Sequence, residues 1–314
     1  MRRKRYSIGV VAPSMPSAGA RRDKVIKAIA YLEAAGHRVS VGEGVYNVLG
    51  YKSGSAEQRA AELVAFLRDP SIDLIIATTG GYNSNEMLEF LDLPQMPRSN
   101  KIFVGYSDCT AISMALQAYD ICTTVCGPML VDLVDYPECF EDLFVALESP
   151  ELEFINRSEV WESFEKGRFA LNPMQRLPDK GALAQGQALA ANLSTLNLML
   201  GTPYLPPFSG RVLFLEYDRE EQRALPSLER FMWQLRQAGI LQELAGLVFG
   251  ALQPSVAAEQ SESDTIERIL SEVTAGYEYP VIYNAQFGHI YPSWVVVNGR
   301  GVRVSEASIW ITRE

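Results

Sequence analysis

The chain has 314 residues, of which 47% are hydrophobic and 21% charged, and a formal net charge of −10. That acidic balance repels nucleic acid, and no basic stripe interleaved with aromatics offsets it, so nucleic-acid binding is disfavoured. At ~150 residues per domain the length suggests two domains, and no apolar run reaches the ~20 residues of a membrane-spanning helix, so neither membrane nor nucleic acid is an expected partner.

The basic cluster Arg2-Arg3-Lys4-Arg5 runs into residues 6–13, an apolar stretch too short and too soon broken by Pro13 for a signal peptide. It reads as a solvated arm before a first strand, and a cytoplasmic location is expected. Strand-like runs at 6–12, 38–42, 72–78, 101–105 and 121–125 then alternate with helix-like segments near 20–35, 55–68, 84–92, 108–118 and 138–148. Such alternation predicts an α/β fold, a doubly wound parallel sheet with both faces covered, over residues 1–150. Ser55-x-x-Gln58 reads as a capping box, and Gly36 stands where a helix should end. The loops at 79–84 and around Ser107 fall at the carboxyl edge of the sheet, where open α/β proteins place ligands.

Residues 149–185 break this rhythm with Pro173, Pro178 and scattered aromatics (Phe154, Trp161, Phe164, Phe169), which predicts a linker and surface excursion over 151–182. A second, mixed α/β domain over 183–314 is expected from strand-like runs at 211–216, 246–250 and 280–285, helix-like segments near 224–238 and 263–275, and short alternating strands toward the C-terminus.

An apolar run that stops at Gly105 and turns into a helical pattern places Ser107 on a tight strand-to-helix turn, the setting of a serine nucleophile. A serine of this kind needs a base and an orienting acid. Of the two histidines, His37 lies on a helix-to-strand turn at the opposite end of the sheet. His289 follows a strand and is bracketed by Gly288 and Pro292, which makes it the plausible base. Glu216, closing the apolar strand that starts at Val212, is the best acid, with Asp218 and Glu220 as alternatives. Gly80, Gly81 and the amide of Asp108 could supply an oxyanion hole. The glycine pair lacks the spacing of a dinucleotide or P-loop motif.

Cys109, Cys122, Cys126 and Cys139 show no Cys-x-x-Cys pair and read as small buried hydrophobes, with Cys109 the one to watch as an alternative nucleophile of amidotransferase type. No metal constellation is evident, and no cofactor is expected.

With these residues laid out, the chain resembles, nearly end to end, the LD-carboxypeptidase family of serine peptidases, which includes the microcin C immunity peptidases. The resemblance rests on Ile8-Gly-Val-Val-Ala-Pro-Ser14, Thr79-Gly-Gly-Tyr-Asn-Ser-Asn85, Lys101-Ile-Phe-Val-Gly-Tyr-Ser-Asp108, Gly127-Pro128, Asn192-Leu-Ser-Thr-Leu196, Gly201-Thr202, Leu213-Phe-Leu-Glu216 and Phe287-Gly-His289. It implies a flavodoxin- or class I amidotransferase-like first domain supplying Ser107 and a second supplying Glu216 and His289, in a homodimer. It also implies hydrolysis of an amide bond near a free carboxylate, in a murein tetrapeptide or an aminoacyl nucleotide of the microcin C type. Asn83, Asn192 and Trp161 are expected to contact substrate.

The run Asn83-Ser84-Asn85 looks more like the microcin-immunity branch. Two departures, Ala190-Ala191 where the family usually has a glycine pair and Tyr217 where it usually has an acid, bear on substrate choice. The reading of another class is a non-catalytic small-ligand binding protein on the same scaffold.

Overall fold

The computed structural model describes residues 4–16, 21–157, 159–162, 168–218, 224–261, 265–305 and 308–312. They form two compact units, Met1–Glu141 with Thr202–Pro206, and Asp142–Gly201 with Pro207–Glu314.

The first unit alternates strand and helix: β1 (Ser7–Val11), α1 (Arg22–Ala34), β2 (Arg38–Val41), α2 (Ala56–Arg68), β3 (Leu74–Ala77), β4 (Ile102–Val104), α3 (Thr110–Ala118) and β5 (Thr123–Cys126). The strands are parallel in the order β5-β4-β3-β1-β2. Every residue of β3 is buried, as a strand covered on both faces requires. The chain leaves β1 toward β2 on one side and returns to β3 on the other, so the ends of β1 and β3 flank a topological switch point. The capping box at Ser55 and Gln58 forms, and Gly36, at φ 92°, follows α1.

The helix expected near 84–92 is a 3-10 helix, Ser84–Phe90. Its start is pinned by side-chain acceptance of its first amide, and its continuation is stopped by Asp92 in the left-handed region just before Pro94.

α4 (Asp132–Asp135) follows in the first unit, and the boundary between the units falls within α5 (Glu138–Glu148). The second unit then adds β6 (Glu151–Phe154), β7 (Glu159–Glu162), β8 (Arg168–Ala170), β9 (Gln175–Arg176), β10 (Ala184–Asn192), α6 (Leu193–Leu198), β11 (Arg211–Glu216), α7 (Ala224–Gln237), α8 (Ile240–Glu243) and β12 (Gly246–Gly250). It ends with α9 (Pro254–Ala257), α10 (Ile266–Val273), β13 (Val281–Ala285), β14 (Ile290–Tyr291), β15 (Val296–Val297), β16 (Gly301–Val304) and β17 (Ile309–Thr312).

One mixed sheet runs β6-β17-β16-β10-β11-β12-β13-β9, with β10 through β13 parallel at its centre, and β14-β7-β8 form a small antiparallel sheet. The stretch expected as an excursion thus supplies both edge strands of the larger sheet. Its first strand, Glu-Leu-Glu-Phe, alternates charge with apolar bulk, and Phe154 stacks on Trp294 with ring centroids 4.7 Å apart.

Candidate active site

In the first unit, β4 carries the buried Phe103 and Val104 to Gly105, and a 3-10 turn at Ser107–Cys109 leads into α3. Ser107 sits at φ 59°, a left-handed conformation that a serine holds only when its surroundings impose it. Such an elbow keeps the hydroxyl clear of the sheet. Gly80 comes close enough that a Cβ built on it would stand 3.2 Å from Ser107 Oγ and 3.7 Å from the Asp108 amide nitrogen. The glycine loop therefore lies against the hydroxyl and the amide that follows it, where donors to a developing oxyanion belong.

The side chain that organises these loops is Asp108, which is buried. One of its oxygens, Oδ2, accepts from Ser14 Oγ at 2.5 Å and from the backbone amides of Asn83 and Ser84 at 3.0 and 2.9 Å. Ser84 Oγ donates in turn to the Asp108 carbonyl at 2.5 Å. The loops after β1, β3 and β4 are thereby tied to one carboxylate.

Behind them the buried Arg59 donates to the carbonyls of Pro13 and Asn83 and pairs with Glu86 at 3.0 Å. Burial pulls its pKa down, while the charges of Glu86 and Asp108 push it back up. Asn83, expected at the substrate, is 4% exposed, and its Oδ1 faces Arg59 and Ser14.

In the second unit, β11 is buried from Val212 to Glu216 and ends on that carboxylate, 1% exposed. A charge so placed needs partners. Glu216 Oε2 lies 2.7 Å from His289 Nδ1, and Oε1 accepts from Asn192 Nδ2 at 2.8 Å. Asn192 stands beside Glu216 in the β10–β11 register, and its Oδ1 caps α6 by accepting from Thr195 N and Ser194 Oγ. It is buried, with its amide nitrogen on the glutamate.

Gly288, at φ 108°, lets the loop reach Glu216, for a Cβ there would lie 2.6 Å from the glutamate's Cβ. Gln253 Nε2 donates to the His289 carbonyl at 3.0 Å. The other ring nitrogen, Nε2, lies 3.7 Å from Asp218 Oδ2. Of the alternative acids, Asp218 thus faces the nitrogen opposite to the one that Glu216 holds, and Glu220 lies outside the described residues.

His37 Nδ1 accepts from the Tyr6 amide at 3.1 Å, next to the start of β1, and belongs to the scaffold. Cys109 is fully buried, and burial with the neighbouring Asp108 charge pushes its thiol well above the ordinary range, a setting opposite to that of a reactive thiolate. Burial likewise pushes Cys122 up to about 12, and all four cysteines are buried and outside disulfides. The backbone of Trp161 pairs with Tyr291 and Arg168, while its side chain lies outside the described residues. Among the described residues no three His, Cys, Asp or Glu side chains converge as a metal site, and no helix is long and apolar enough to cross a membrane.

Sequence reasoning missed the side chains of Asp108, Ser14, Arg59 and Gln253. Arg59 carried a signal, since it falls on the same face of α2 as Leu63 and Leu67, which are buried.

Residues 8–127 match the LD-carboxypeptidase N-terminal domain and residues 185–304 the LD-carboxypeptidase C-terminal domain. A probable murein peptide carboxypeptidase of Bacillus subtilis is 27% identical over 302 residues, 96% of this chain and 89% of its own. The microcin C7 self-immunity protein MccF of Escherichia coli is 25% identical over 91% of this chain and 86% of its own. Among solved structures, an MccF-like protein from Bacillus anthracis superposes with a TM-score of 0.89 at 26% identity, covering 99% of this chain and 98% of that one. MccF in complex with glutamyl sulfamoyl guanosine shares the fold at a TM-score of 0.84 and 23% identity, covering 98% of this chain and 96% of that one.

Proposed function

The chain belongs to the LD-carboxypeptidase family, and from that premise we propose that it is a serine hydrolase with Ser107 as nucleophile, His289 as base and Glu216 as orienting acid. The observation that carries this reading is the buried Glu216–His289 pair at 2.7 Å. A carboxylate on Nδ1 fixes that nitrogen as the protonated one and leaves Nε2 to accept a hydroxyl proton.

In the proposed cycle Ser107 Oγ attacks the scissile carbonyl carbon as its proton passes to His289 Nε2. The oxyanion that forms is received by the Asp108 amide and the Gly80-Gly81 loop, an interaction whose loss typically costs ~100-fold or more. Collapse expels the amine, which takes the proton from the imidazolium, and water then repeats the sequence to release the acid and restore Ser107.

The bond cleaved is an amide near a free carboxylate. Two substrate classes are proposed, a murein tetrapeptide and an aminoacyl nucleotide: one relative is named a murein peptide carboxypeptidase, and MccF has been solved with glutamyl sulfamoyl guanosine and with aspartyl sulfamoyl adenosine. Assembly as a homodimer and residence in the cytoplasm belong to the same proposal. Sedimentation at the single-chain mass of 34.9 kDa would remove the first of these.

The test is turnover of a murein tetrapeptide and of an aminoacyl sulfamoyl adenosine side by side. Ser107→Ala and His289→Ala are each expected to lower kcat by about a thousandfold or more with the thermal midpoint nearly unmoved. Wild-type turnover in either variant would end the reading. Labelling of Ser107 by a fluorophosphonate separates it from a non-catalytic binding protein.

A further inference from the structure

The imidazole of His289 lies between two carboxylates. Glu216 takes Nδ1 at 2.7 Å, and Asp218 Oδ2 stands 3.7 Å from Nε2, the nitrogen through which any proton transfer to or from substrate must run. Glu216 and His289 are almost fully buried, with side-chain exposures of 1% and 3%, whereas the Asp218 side chain keeps 16%.

A histidine serving as a base takes up a proton at the ring nitrogen turned to substrate, and with Nδ1 held by Glu216 that nitrogen is Nε2. Glu216 spends its charge on the Nδ1 proton and the Asn192 amide. Asp218 does not orient the ring, since it faces the wrong nitrogen for that. Its field is instead felt beside Nε2, where a scissile carbonyl would sit, and in so dry a setting an opposite charge brought there is held more strongly than in water.

We propose that Asp218 is a specificity-determining residue that favours substrates carrying a positive charge immediately beside the scissile carbonyl, that is, aminoacyl compounds with a free α-ammonium group. In an aminoacyl nucleotide the α-nitrogen is two bonds from the carbonyl carbon and is cationic at neutral pH. In an L,D-tetrapeptide the nitrogen at that position is already acylated, so it carries no charge and has only its amide hydrogen to offer. Asp218 therefore tilts the choice left open above toward the aminoacyl class. The inference rests on the proposed roles of Ser107 and His289, because Asp218 matters to selectivity only if His289 Nε2 marks the reacting centre.

The experiment compares aspartyl sulfamoyl adenosine, which keeps a free carboxylate, with its N-acetyl derivative as substrates of the wild-type chain, Asp218→Asn and Asp218→Glu, with thermal midpoints recorded for each. The wild type is expected to favour the free amine in kcat/KM by about tenfold to a hundredfold, the range of a charge-assisted hydrogen bond. Asp218→Asn is expected to shrink that ratio mainly through KM for the free amine, and Asp218→Glu to restore part of it. A purely structural role for Asp218 would lower both substrates alike and leave the ratio intact, which would overturn the inference. So would a wild-type enzyme that shows no preference for the free amine, a comparison that needs no variant to fold.

Failure of the underlying reading looks different. In that case neither compound nor the tetrapeptide is turned over and a fluorophosphonate does not label Ser107. Labelling of Ser107 together with tetrapeptide turnover, but no preference between the amine and its acetyl derivative, overturns the role of Asp218 alone.

Discussion

Gly288 sets how closely the loop after β13 can approach the end of β11. An alanine there would place its Cβ 2.6 Å from that of Glu216 while holding φ at 108°, so both the contact and the backbone conformation oppose it. Gly288→Ala is expected to cost about 1–3 kcal/mol of stability and to lower kcat with it, read from denaturant midpoints and initial rates on the same preparation.

Glu216→Gln tests a different property, since it keeps the shape of the acid but removes its charge. It is expected to lower kcat by about a thousandfold or more with little change in the thermal midpoint, and a variant within tenfold of wild type would deny Glu216 its role. Ser107, Glu216 and His289 could be singled out because each sits at a punctuated strand end, a pattern visible in one dimension. The clasp made by Asp108 could not, because its partners Ser14, Asn83 and Ser84 come from different loops and meet it only once the sheet has formed. The same distance from sequence hides the burial of Asn83 and Asn192, which the family resemblance had assigned to substrate.

At the level of elements, α2 shows how local rules and tertiary ones divide the work. Its start obeys a local rule, with Ser55 Oγ accepting from Gln58 N at 3.2 Å and Gln58 Oε1 accepting from Ser55 N at 3.1 Å. Ser55→Ala is expected to cost about 1 kcal/mol by denaturant titration.

Further along α2, Glu62 reaches the loop after β2 and accepts from the Gly44 amide at 2.7 Å. Burial raises its pKa above the ordinary glutamate value, against the hydrogen bonds from Gly44 and Ala12 that lower it. A carboxyl whose folded pKa is raised gives its full stabilisation below the unfolded value and loses it as pH climbs through the folded one. Glu62→Gln is therefore expected to gain thermal midpoint relative to wild type as pH rises from 4 toward 7, and a gap that stays constant over that range would refute the assignment.

The βα alternation of the first unit was legible because its central strands, such as Leu74–Ala77 and Ile102–Val104, are uninterrupted apolar runs between turn residues. The edge strands within residues 149–185 were not, since Pro173, Pro178 and the mixed charge mask short alternations such as Glu151–Phe154.

For the whole molecule, the proposed nucleophile and its base belong to different compact units, Ser107 to the first and Glu216 with His289 to the second. If they act as one device, Ser107→Ala/His289→Ala is expected to be no slower than the worse single variant, because residues that work as a set are not additive. Losses that multiply in the double variant, measured by single-turnover rates, would mean that the two units contribute separately.

The division into a parallel first half and a mixed second half was readable from hydrophobic periodicity. The number of strands added by residues 149–185 was not, for it depends on which sheet edges remain open to pairing.

The pairing of β10 with β11 carries a further implication. Asn192 stands beside Glu216 in one alignment only, and a slip of a single residue would offer Ala191 or Leu193 instead, with every side chain of the strand turned to the wrong face. Turnover per milligram after refolding is then a gauge of assembly fidelity, since a compact but misaligned product would pass a spectroscopic check of helix and strand content and still be inert.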